Sequence, residues 1–190
     1  MAAAGAARSR AGHDFQQTVK GFGPISGSGL YLLPVVHSGN QNCSPEEAQE
    51  VAHLVRAVLA SNATWVDREG QERSITLDDI VIITPYNAQV FEIQQCLPGA
   101  RTGTVDKFQG QEAPIAIYST ATSSHADAPR GMEFLYSLNR LNVATSRARC
   151  VSILVSSPQI FEAECRTPRQ ILLANAFCLY LEMAKCISFG

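Results

Sequence analysis

The chain has 190 residues, of which 46% are hydrophobic and 17% charged, and its net charge is −2. That is enough apolar material for one sizeable core and excludes a disordered or low-complexity chain. The net charge excludes a protein that grips nucleic acid by overall charge, so any such binding must come from local arginines, backbone amides and a partner domain.

In chain order, residues 1–28 are rich in Ala, Gly and Ser. Their start, MAAAGAARSRAGH, imitates an organellar transit peptide only faintly and has no apolar signal core. GFGPISGSG then reads as a flexible connector, so a flexible leader or remnant is expected over 1–28. Residues 30–36 (LYLLPVV) read as a strand, with Pro34 suggesting an edge position or a bulge. Ser44, Pro45 and Glu47 are start signals for a helix, Glu47 completing a capping box. The helix continues with Ala48, Val51, Ala52, Val55, Val58 and Leu59 at helical spacing. Residues 62–78 form a polar loop or exposed hairpin turning at Gly70. Its carboxylates (Asp67, Glu69, Glu72, Asp78) alternate with Arg68 and Arg73 and, with Asp79, read as a solvated loop rather than a metal site.

The strand 80–84 stops at Pro85 and re-enters as a helix over 87–97, before Pro98-Gly99. A short strand at 101–105 leads into a polar loop around Gly110, followed by a strand at 114–121 and a loop at 123–131. Residues 133–148 read mostly as helix, 151–156 as strand and 158–164 as a helical turn. The last helix, 169–185, is amphipathic, with Leu172, Leu173, Ala176, Phe177, Tyr180 and Ala184 inward. Strands alternating with helices predict an α/β chain with a parallel sheet covered on both faces.

The six cysteines show no C-x-x-C pair and no zinc-ligand spacing with histidine, and no metal ligands are expected. Cys96, Cys150 and Cys178 stand in apolar surroundings and read as small core hydrophobes. Reduced thiols point to a cytoplasmic protein. No apolar run approaches the ~20 residues that span a bilayer, so no membrane partner is expected.

Three segments carry chemistry. Ile83 to Gln89 (ITPYNAQ) follows a buried strand, where α/β sheets bind ligands. In Thr104 to Glu112 (TVDKFQGQE), Gly110 can take backbone angles closed to other residues and admit a ligand to the main chain. Leu138 to Arg149 (LNRLNVATSRAR) joins an apolar helical repeat to three guanidinium groups, whose planar forks suit phosphate. Taken singly, the last two have plainer readings, a polar loop before a strand and a solvated basic helix face.

Read in order, these segments resemble motifs IV, V and VI of superfamily-one helicases, in the branch containing the nonsense-mediated-decay and DNA-replication helicases. The resemblance is strong over residues 79–157. It implies a RecA-like three-layer α/β fold over residues 29–187, as the second, C-terminal RecA-like domain of such an enzyme. It implies ATP with Mg2+ in a cleft against a first RecA-like domain, and single-stranded DNA or RNA across both. Arg147 aligns with the arginine that reaches the γ-phosphate, with Arg149 and Arg140 as further phosphate contacts or supports. Gly110 matches the motif V glycine that approaches the nucleotide, Glu112 the acid that meets a ribose hydroxyl, and Gln109 the residue ordering that loop. Thr84, Tyr86, Asn87 and Thr104 would meet the strand, and Thr122, Ser123 and Ser124 are weaker candidates of that kind.

No G-x-x-x-x-G-K-S/T loop occurs, nor a convincing acidic Mg2+ motif. In the family both lie on the first RecA-like domain, expected to be absent here, so the chain alone should hydrolyse little ATP. The usual Q-Y-R-M-x-P segment is missing too, which suggests a fragment, a truncated product or a remnant. The alternative is a non-catalytic, helicase-derived module that binds nucleic acid or protein.

Overall fold

The computed structural model describes residues 16–108 and 110–188. A six-stranded sheet runs in the order β10 (Lys185–Cys186), β3 (Gly29–Pro34), β9 (Ala148–Ser156), β8 (Ala113–Ser119), β6 (Ile80–Thr84), β7 (Arg101–Thr104), with every neighbour parallel. Alternate residues feed two cores. Ile80, Ile82, Ile115, Ile117, Val151 and Ile153 face one layer. Val81, Ile83, Ala116, Tyr118 and Leu154 face the other. Coverage on both faces explains why these strands are apolar throughout rather than at every second position.

One layer holds α1 (Pro45–Ala60) and α2 (Asn87–Cys96), and the other holds α4 (Leu138–Ser146) and α5 (Pro168–Met183). A short helix, α3 (Met132–Leu135), precedes α4. This is the doubly covered parallel sheet that the strand–helix alternation predicted, and it fits the RecA-like fold that the resemblance implied.

Pro34 fits for a physical reason. Val35 N–H donates to Ser156 O on β9, so the Pro34 nitrogen points the other way, past the end of two-residue β10. Its missing donor costs no ladder bond.

Several expectations are corrected. Residues 18–27 are not a flexible connector: β1 (Thr18–Phe22) and β2 (Ile25–Gly27) join β4 (Thr64–Val66) and β5 (Glu72–Ser74) in an antiparallel sheet. Val19, Phe22 and Ile25 anchor it in the core. The remaining leader, residues 1–15, lies outside the described residues. The single helix over 133–148 is two, broken at Tyr136–Ser137. Tyr136 is pulled inward there: its hydroxyl donates to Ile160 O at 2.5 Å and its ring meets Phe177 edge-on at 5.1 Å. Leu172 of α5 faces solvent at 62% exposure, while Phe177 and Tyr180 are buried as expected. Cys150 is a buried core residue, whereas Cys96 and Cys178 are only partly covered.

Candidate functional site

The two ends of the parallel sheet hold different chemistry. At the amino ends, Ala113 of β8 pairs with Ala148 of β9, which brings the residues just before them, Glu112 and Arg147, side by side. Arg147 caps the end of α4 and its carbonyl accepts from Ala113 N–H at 2.9 Å. Its guanidinium is half-buried and folded back, Nε donating to Val143 O at 3.3 Å and Nη2 to Ser146 Oγ at 3.0 Å. Arg149 Nε donates to Glu112 Oε2 at 3.4 Å. Gly110 has φ +80°, and a side chain there would meet nothing, so the backbone is open on that side. Arg147, Arg149, Glu112 and Gly110 thus lie at one end of the sheet. Gln109 lies outside the described residues.

At the carboxyl ends, Thr84 of β6 pairs with Thr104 of β7. Asn87 is exposed and Thr104 half-buried, and both line a cleft of 170 Å³ with Pro85, Arg130 and Arg140. Thr84 is fully enclosed, and Tyr86 is 7% exposed. The Tyr86 ring packs 5.4 Å from Phe134 and its hydroxyl accepts from Thr122 Oγ1 at 3.4 Å. Burial raises its phenol pKa. In this conformation neither Thr84 nor Tyr86 is open to a strand, and the Tyr86 ring packs instead. Thr122 and Ser123 are enclosed too.

Arg140 stands with this second set. It starts α4 at the carboxyl ends, and Arg147 ends the same helix seven residues on, about 10 Å along the axis at 1.5 Å per residue. The polar segment between β7 and β8 spans the same distance, from Thr104 through the 3-10 turn Val105–Phe108 to Glu112.

A buried polar hub lies under the carboxyl-end loops, unseen in the sequence. Glu47 of α1 accepts from Ser119 Oγ (2.6 Å), Thr120 Oγ1 (3.0 Å) and Ala121 N–H (3.0 Å), and meets His37 Nε2 at 3.0 Å. His37 Nδ1 is 2.8 Å from Ser123 Oγ, which also accepts from Asn40 N–H. Gln89 of α2 donates from Nε2 to Ser44 O and Ser119 Oγ and accepts from Ser44 N–H. The Ser123–His37–Glu47 chain has the residue types of a hydrolase triad, but no substrate can reach it. All three are buried and Ser123 Oγ is taken up by Asn40. Nor does Glu47 complete a capping box. Ser44 Oγ accepts from Glu47 N–H, but the carboxylate turns inward, and Gln89 Oε1 takes the Ser44 N–H instead.

Among the described residues, no three His, Cys, Asp or Glu side chains gather to hold a metal, and no helix is long and apolar enough to cross a membrane.

A parallel sheet covered on both faces, with the three motif segments at its strand ends, has the form of a RecA-like α/β domain. Residues 35–159 match the family model described as an AAA domain. The chain is 32% identical over 167 residues to "Probable RNA helicase armi" of Drosophila melanogaster, covering 80% of this chain and 13% of that protein. It is 30% identical over 148 residues to "DNA replication ATP-dependent helicase/nuclease JHS1" of Arabidopsis thaliana, covering 76% and 10%. Against "Putative helicase mov-10-B.1" of Danio rerio it is 35% identical over 106 residues, covering 47% and 10%. The chain belongs to the superfamily-one helicases, in the branch of the nonsense-mediated-decay and DNA-replication helicases. It spans about an eighth or less of the length of these relatives.

Proposed function

We propose that this helicase domain is the second jaw of an ATP-driven motor on single-stranded DNA or RNA, closing against a first RecA-like domain that carries the phosphate loop and the Mg2+ ligands. The observation that carries the reading is the division of α4 and of the 104–112 segment between the two sheet ends. One end offers Arg147, Arg149, Glu112 and the open backbone of Gly110, a set that fits a triphosphate and a ribose hydroxyl. The other offers Asn87, Thr104 and Arg140.

In this reading Arg147 leaves its contacts with Val143 O and Ser146 Oγ and turns to the γ-phosphate, where its fixed charge stabilises the transferring phosphoryl group. Glu112 accepts from a ribose hydroxyl through the oxygen Arg149 does not hold. Asn87 and Thr104 position the strand through its backbone, without reading sequence. Because α4 is one rigid element, a pull on Arg147 at the nucleotide end shifts Arg140 at the strand end, which couples the two ligands. These 190 residues contain no G-x-x-x-x-G-K-S/T loop, so by themselves they should turn over little or no ATP.

The test is phosphate release from ATP, with and without a single strand, by this chain joined to a P-loop domain from a close relative. Strand-stimulated turnover that collapses in Arg147→Ala, with ATP binding retained, supports the reading. Unchanged turnover in Arg147→Ala removes the arginine-finger assignment. A stable, correctly joined protein without turnover favours a non-catalytic module that binds nucleic acid or protein.

A further inference from the structure

The 170 Å³ cleft at the carboxyl ends of β6 and β7 has an unusual wall. Arg130 and Arg140 both lie over the ring of Phe134, their guanidinium carbons 4.2 Å and 3.6 Å from its centroid. The ring leans on Tyr86, which is buried, so the platform is fixed from behind. Stacking on an aromatic face orients a guanidinium and leaves its in-plane N–H donors pointing outward.

Most other cations are already engaged. Arg73, Arg149 and Arg169 meet carboxylates, and Arg56, Arg101 and Lys107 donate to carbonyls. Among the described residues, neither Arg130 nor Arg140 has an acceptor within hydrogen-bond or ion-pair distance. Asp106 lines the same cleft but is not within ion-pair distance of either. Two like charges held against one ring repel each other, and the ring's quadrupole offsets only part of that. An anion in the cleft would relieve it and take up the free donors, together with the Asn87 amide and the Thr104 hydroxyl.

We propose that Arg130 and Arg140, stacked on Phe134, form a clamp for backbone phosphates of a single-stranded nucleic acid, and that this clamp, rather than Tyr86, supplies the main grip at this end of the sheet. The proposal deepens the strand-binding reading above and rests on it. It gives Phe134 and Arg130 roles that motif matching did not assign, Phe134 as a positioning residue. It also moves Arg140 from the nucleotide to the strand.

The test is fluorescence anisotropy of labelled oligo-dT and oligo-U titrated with the 190-residue chain at a series of KCl concentrations, beginning at low salt. Each phosphate contact to a single strand contributes about 0.7 to the slope of log K against log salt. The variant Arg130→Gln/Arg140→Gln is expected to lose about 1.4 from that slope and at least about tenfold in affinity at low salt. Phe134→Leu, which keeps both charges, is expected to weaken binding, with a smaller change of slope. Arg68→Gln, another unpaired arginine away from this cleft, is the charge control and should leave the slope as it is.

An unchanged slope in the double variant overturns the clamp. In that event, weakening by Asn87→Ala or Thr104→Ala leaves the strand-binding reading standing. A wild-type chain that binds neither oligonucleotide overturns both. Matching unfolding midpoints for the variants keep a folding defect from being read as a binding defect.

Discussion

His37 Nε2 lies 3.0 Å from Glu47 Oε1, and both side chains are wholly enclosed. Around them Ser119, Thr120 and the Ala121 N–H spend their donors on the same carboxylate. Ala121 is held at φ +65°, a left-handed conformation unusual for a residue with a side chain. Glu47 therefore ties α1 to the end of β8 and to the backbone that leads into the carboxyl-end loops.

Removing that carboxylate leaves several buried donors unmatched at once. Glu47→Ala is expected to destabilise the fold by several kcal/mol, since each buried donor left without its acceptor costs about 1–3 kcal/mol. Glu47→Gln should cost less, because one acceptor oxygen remains while the new amide faces other donors. Urea unfolding followed by circular dichroism measures both. A loss in Glu47→Ala below about 1 kcal/mol would show that the hub is not what holds α1 to β8.

The hub also shows how far the sequence could be read. The sheet, its parallel direction and most element boundaries followed from apolar period and punctuation, because a strand covered on both faces has few alternatives. Glu47 was read as a cap from local rules alone. Yet it occupies the same stripe as Val51, Leu54 and Val58, all buried, and a carboxylate there signals an internal partner. Gln89 shares the inner face of α2 with Ile93 in the same way. The partners themselves were illegible, since His37, Ser119 and Ser123 meet Glu47 only through tertiary folding. The break at Tyr136 was hidden for a similar reason: nothing local announces a hydroxyl reaching for Ile160 O. The three motif segments could be placed at the strand ends from sequence, but which of their side chains are open could not: Thr84 and Tyr86 are enclosed. That Arg140 and Arg147 part company became visible only once α4 was laid along the sheet.

The β4–β5 hairpin should loosen in acid. The Gln71 backbone N–H, then that of Glu69, and then Arg73 hold the Asp67 carboxyl below the usual carboxylate range. A carboxyl with a lowered folded value contributes stability above its ordinary pKa of about 4 and loses it as pH falls through the folded value. Amide exchange at Gly70 and Gln71 should therefore rise below about pH 4, and Asp67→Asn should show raised exchange already at neutral pH. Protection that is indifferent to both changes would mean that β1 pairing alone orders the hairpin.

Thiol chemistry offers a check on packing. Burial pushes the Cys150 thiol up to about 11, with Arg149 opposing in part, whereas Cys186 is exposed. Iodoacetamide at pH near 8 should label Cys186 quickly and Cys150 only when urea opens the chain, as read by mass spectrometry of the peptides. For an acid whose folded pKa is raised, stability is complete below the unfolded value near 9 and is lost as pH rises towards 11. Cys150→Ala should flatten that alkaline decline. Fast labelling of Cys150 in the folded chain would contradict the enclosed position of β9.

At the proposed nucleotide end, stability and turnover should separate. The Arg149–Glu112 pair is exposed at 39% and 46% of its side-chain surface, and exposed pairs contribute about 0–1 kcal/mol. Arg149→Ala and Glu112→Ala should therefore melt close to the wild type. On the proposed two-jaw reading, Glu112→Ala in the joined protein would remove a ribose contact that is equal in ground and transition states, raising KM for ATP and sparing kcat. On the same reading, Arg147→Ala would remove charge stabilisation from the transferring phosphoryl group and lower kcat by about 10³–10⁵ with ATP affinity little changed. Steady-state kinetics on the joined protein distinguish the two. A kcat loss in Glu112→Ala as large as that in Arg147→Ala would mean that the carboxylate's contact with Arg149, and not the ribose, is what this end of the sheet requires. Restoring turnover with Glu112→Gln, which keeps an acceptor for both partners without the charge, would then separate shape from electrostatics.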